Sequence, residues 1–117
     1  MATYTKLLLS GSTNGKQIKI SATSNGGAST LHTAVSGTAS LDEVFLYAVN
    51  NTSSAVKLTL LWGGTTEPDN AITLLIAPNV GRTLVADGIL LQNSLVISAY
   101  AATASAINID GFVNRIA

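Results

Sequence analysis

The side chains able to do chemistry are few: six acids, six bases, one histidine and no cysteine. His32 is the only histidine, so any Ser-His-Asp arrangement has to use it. It stands in "STLHT", with Thr30 and Thr33 close by. The chain has no G-x-S-x-G elbow, and "SGTAS" is not one. A nucleophile needs both a base and an orienting group beside it. A lone histidine on a strand reads instead as structural or solvent-exposed.

The acids give no better catalytic pair. Asp42 and Glu43 are adjacent, so on a strand they point to opposite faces, unless Asp42 still lies in the preceding loop. Glu67, Asp69 and Asp87 are candidate oxygen ligands for calcium, but a calcium ion takes six to eight oxygens and no D-x-D-x-D-G loop is present. Pro68-Asp69-Asn70 reads as a turn, Pro68 setting φ and Asp69 or Asn70 bonding the backbone. Gly63 and Gly64 lack the lysine and the following helix of a phosphate loop. Trp62 is in phase with Val56, Leu58 and Leu60, which places it in the core; the competing use is stacking on a sugar. We expect no catalytic residue, no cofactor and no metal.

Composition narrows the partners. Charged residues make up 10% of the chain and net charge is zero, against about 25% charged in ordinary soluble domains. Nucleic-acid binding needs a basic patch, and only Lys16 and Lys19 come near to clustering. The same balance argues against docking on anionic membranes. Without cysteine no disulfide framework can form. No stretch reaches the ~20 apolar residues of a membrane helix, and the start, "MATYTKLLLSGS", is too short in apolar residues for a signal-peptide core. The expectation is a chain made and used without export, so that the sequons at Asn50 and Asn51 are chance. A weakly charged surface does little to keep copies apart, and favours a protein whose surface is largely used in contacts.

Few windows carry helical periodicity; alternation dominates. Ile18, Ile20 and Ala22 alternate with Lys19 and Ser21, and Ile107 and Ile109 with Asn108 and Asp110. Gly-, Asn- and Pro-bearing turns such as "STNGK", "GGTTEPDNA" and "ADG" fall between such runs. The predicted strands are 3–9, 17–23, 30–36, 43–50, 55–62, 71–76, 82–86, 95–102 and 106–114. With 117 residues, this predicts one domain, residues 1–117: an all-β, antiparallel, jelly-roll-like sandwich of eight or nine strands, with an immunoglobulin-like sandwich as runner-up. The predicted core comprises Ile18, Ile20, Leu46, Val56, Leu58, Leu60, Trp62, Leu74, Ile97 and Ile109.

Some strands are apolar on both faces. In "EVFLYAVN", Val44, Leu46 and Ala48 share one face and Phe45, Tyr47 and Val49 the other; in "LVISAYAA", Leu95, Ile97 and Ala99 oppose Val96 and Tyr100. With Leu61, Leu75, Val85 and Leu90, the apolar surplus exceeds what one sandwich face requires. The surplus meets either another subunit, our preferred reading, or loops of the same chain. Phe45, Tyr47, Val49 and Tyr100 are the expected oligomer or capsid contacts.

The segments "TKLLLSGSTNGKQIKI", "SLDEVFLYAVNN", "LTLLWGGTT", "GILLQNSLVISAYAA" and "INIDGFVNRI" together resemble small virion structural proteins of tailed bacteriophages, across almost the whole chain and in the expected order. Within that group the resemblance is to capsid decoration (cement) proteins. It implies a non-enzymatic protein, commonly a homotrimer, bound to the capsid exterior between major capsid protein subunits after synthesis in the host bacterial cytoplasm. The competing assignment is a tail or fibre module that grips host-surface glycans.

Overall fold

The computed structural model describes residues 3–117. Nine strands follow one another: β1 (Tyr4–Leu8), β2 (Ile18–Ile20), β3 (Ser29–Thr33), β4 (Leu41–Asn50), β5 (Val56–Trp62), β6 (Ala71–Ile76), β7 (Arg82–Leu91), β8 (Val96–Ala101) and β9 (Ile107–Ile116). A single 3-10 turn, Asn25–Gly27, precedes β3. Each strand overlaps a run of alternating or doubly apolar residues, because side chains on a pleated strand alternate between faces.

The strands form two antiparallel sheets, ordered β1-β9-β4-β7 and β3-β8-β5-β6. The short β2 extends the first sheet by pairing with β9 beside Ile107–Ile109, end to end with β1 on the same edge. With β2 set aside, the first strand pairs the last, the second the second-last, and so inward to the adjacent β5 and β6. Nested hairpins distributed alternately over two sheets make a jelly roll.

The core lies between the sheets. Val44, Leu46 and Ala48 of β4 and Ile109 and Val113 of β9 face Leu58 and Leu60 of β5 and Ile97, Ala99 and Ala101 of β8. The expected core residues are fully buried except Ile18, Trp62 and Leu74, which pack against the cluster from its margin.

Two expectations need correction. "ADG" is no turn: β7 continues through Gly88, whose φ of 74° sits at a register shift against β4. A glycine with positive φ relieves one extra residue as a bulge, so the strand kinks and carries on to Leu91. The predicted strand 43–50 starts too late: Asp42 lies inside β4, pairs with Leu91 and Arg115 and is fully buried, so that it and Glu43 do point to opposite faces.

Gly111 marks the tightest point of the first sheet. A Cβ there would run into the carbonyl oxygen of Phe45 on the neighbouring β4. Only glycine lets the two backbones approach so closely.

Candidate functional site

Three groups of side chains bear on function. The innermost joins the two sheets. His32 of β3 donates from Nε2 to Asp42 Oδ2 at 2.8 Å, its tautomer assigned from the Ser10 N–H that donates to Nδ1 at 3.0 Å. Arg115 of β9 donates through Nε to Asp42 Oδ1 at 2.7 Å and through Nη2 to Oδ2 at 2.9 Å. The Val35 N–H adds a fourth donor at 3.1 Å. Burial opposes ionisation of Asp42, but the hydrogen bonds from Arg115 and His32 and the guanidinium charge outweigh it and hold the carboxyl below the usual carboxylate range.

Ser10, His32 and Asp42 lie together, yet in the wrong order for nucleophilic catalysis. The backbone of Ser10, not its hydroxyl, meets the imidazole; the hydroxyl oxygen accepts from the Thr33 N–H. Both ring nitrogens are engaged, and the ring is 1% exposed. A general base needs a free lone pair aimed at a substrate. This group is an inter-sheet clasp. The sequence carried a signal for it: Asp42 is in phase with Val44 and Leu46, and an inward acid requires buried donors.

The second group lies on the outside of the second sheet. Tyr100 of β8 donates to Glu67 Oε1 at 2.6 Å, and Asn25 Nδ2 donates to Glu67 Oε2 at 3.1 Å and to the Thr65 carbonyl at 2.8 Å. The hydrogen bond from Tyr100, then that from Asn25, lowers the pKa of Glu67, and the same contact raises that of Tyr100. Asn70 shapes the loop, its side chain accepting from the Thr66 N–H and its backbone N–H donating to the Thr66 carbonyl. The loop 63–70 thus folds back over its own sheet. Leu61 is fully buried, although its register opposite Ser98 puts it on this outer side. For this sheet the loop covers part of the apolar surplus, Leu61 included, while Leu75 on β6 stays 71% exposed.

The first sheet is different. Phe45 of β4 stacks on Phe112 of β9 with ring centroids 4.7 Å apart. Lys6 lies over the Phe112 ring at 4.7 Å and Arg82 over the Tyr47 ring at 4.0 Å. Arg82 is also paired with Asp110 at 2.8 Å. Around these rings Tyr4, Leu8, Leu84 and Leu90 are 71%, 56%, 44% and 50% exposed. Register places all of them on one outward face.

Of the four expected contact residues, Phe45 and Tyr47 sit in this face, and Val49 sits at its end with only 8% exposed. Tyr100 lies on the opposite side of the molecule, under its own loop. The side chain that the sequence reading missed is Phe112, which alternation places outward but which only register brings against Phe45. Among the described residues no group of three or more His, Asp or Glu is placed to hold a metal ion. No family model, curated protein or solved structure matches the chain.

Proposed function

We propose that this chain is a capsid decoration protein of a tailed bacteriophage, which binds the outside of the head between major capsid protein subunits and braces the shell by burying area. The observation that carries this reading is the open aromatic and apolar face of the first sheet, set on a jelly roll whose best-organised polar group is spent on its own interior. An antiparallel sheet ordinarily turns a polar face to water. Exposed leucines and aromatic rings gathered on one face, among Lys6, Glu43, Arg82, Asp87 and Asp110, suit a surface that other protein covers. The weak surface charge fits stoichiometric packing better than steering toward a soluble ligand.

The test uses virions of the encoding phage. Mass spectrometry should find the chain in copy numbers commensurate with the shell lattice, and antibody labelling should decorate the whole head. Heads assembled without it should lose integrity at lower temperature and at low salt. Labelling confined to the tail, together with hits on a glycan array, would replace this reading with the host-binding one.

A further inference from the structure

The outward face of the first sheet has dimensions, chemistry and a charge layout that suit one occupant. Three ten-residue strands, with β1 and β2 sharing the fourth position, spaced about 4.8 Å apart at about 3.3 Å per residue, give roughly 600 Å² per copy before side-chain relief. Two such faces bury on the order of 1,200 Å², where stable interfaces begin. The apolar side chains Leu8, Leu84 and Leu90 surround the Phe45–Phe112 stack rather than lying at one margin.

Charges stand at both edges, and between them Glu43 of β4 accepts from Asn114 Nδ2 and Asp110 of β9 pairs with Arg82. Lys6 and Lys19 stand on the β1/β2 side, and Asp87 stands on β7 at the other. Among the described residues none of the three belongs to an ion pair, whereas Arg82 is neutralised by Asp110. A two-fold axis parallel to the strands maps each edge onto the opposite edge of a second copy. Phe112 then meets the second copy's Phe45, and Lys6 comes within a side chain's reach of the second copy's Asp87. Lys19 falls near Arg82, whose charge Asp110 already offsets.

We infer that this face binds a second copy of the same chain, forming an isologous dimer with the aromatic stack at its centre. An isologous interface requires a surface complementary to itself, and the lysine edge and the Asp87 edge supply that. The pairing gives a dimer where the resemblance implies a trimer. It does not rest on the decoration role, and within the dimer this face is covered by the second copy, so the shell would be met by other surfaces.

Sedimentation equilibrium of the full chain at micromolar concentration and low salt should give twice the 12.0 kDa chain mass. Phe45→Glu should sediment as a monomer, with circular dichroism unchanged. Lys6→Glu alone and Asp87→Lys alone should each weaken dimerisation roughly tenfold, because the two-fold makes every reversal count twice. The double variant, Lys6→Glu with Asp87→Lys, should recover to within about threefold of the parent, since the exchanged charges still oppose one another. A parent at one or three chain masses, or a double variant no better than either single, would overturn the pairing. A monomeric chain that still labels heads removes the dimer and leaves the decoration role standing; a dimer missing from virions does the reverse.

Discussion

At Asp42 two effects oppose each other, and the hydrogen bonds win. A carboxylate without solvent contact is costly unless donors replace the water. Here Arg115, His32 and the Val35 N–H replace it. Asp42→Asn removes the anion and turns an amide N–H₂ toward donors. With Arg115 one-third exposed, a cost of about 3 kcal/mol is expected, at the low end for a broken buried pair. Urea unfolding at pH 7 measures it. The pH dependence has a definite sign. Because the folded-state pKa of Asp42 is lowered, its contribution is fully present above the ordinary carboxylate pKa and is lost as pH falls through the folded value. The parent should therefore lose stability on acidification below about pH 4, and Asp42→Asn should lose less over the same interval. Parallel pH curves for the two proteins would remove Asp42 from this role.

Among the elements, the β4–β9 contact depends on Gly111. Its missing Cβ lets the Phe45 carbonyl approach, and neither backbone can retreat without breaking the ladder on both sides of β9. Gly111→Ala should cost about 3 kcal/mol, at the upper end for overpacking. Gly26→Ala is the control: nothing lies within 4 Å of its added methyl, so it should change stability by less than about 1 kcal/mol. Equal effects in thermal unfolding would show that close approach is not what selects glycine at 111. These glycines also mark where sequence reading stops. Alternation located all nine strands and most of the core, because burying one face imposes a period of two. It also showed that Phe45 and Tyr47 share a face. It could not separate a glycine at a bulge, Gly88, from a glycine in a turn, since both need positive φ. Nor could it assign Tyr100 to the other sheet, because that rests on β8 pairing with β5 and β3, through residues as far apart as Thr59 and Tyr100 or Ser29 and Ala99. The clasp was half legible: Asp42 stood in the inward phase, but its partners lie on β3 and β9.

The whole molecule is a set of hairpins inside hairpins, and this dictates an order of assembly. The pair β5–β6 closes over residues 63–70, whereas β1–β9 closes over residues 9–111. Loop-closure entropy makes the outer closure costlier by ~2 kcal/mol if the intervening chain is still disordered. Once the inner hairpins have formed, most of that cost has already been met, so the inner pair should form first and β1 should dock last. Leu60 is fully buried in β5, and Leu7 of β1 packs against the same core from its margin. Truncating either to alanine should destabilise by about 2–4 kcal/mol, less for Leu7. The kinetic consequences should differ. Leu60→Ala should slow folding, with φ above about 0.5, while Leu7→Ala should speed unfolding and leave the folding rate nearly unchanged, with φ below about 0.3. Stopped-flow chevrons of the two variants decide the matter, provided that they are recorded where the chain is monomeric, since dimerisation would add a concentration-dependent phase. Equal slowing by both variants would mean that β1 is already seated in the transition state, and that the sheets close from the chain ends inward.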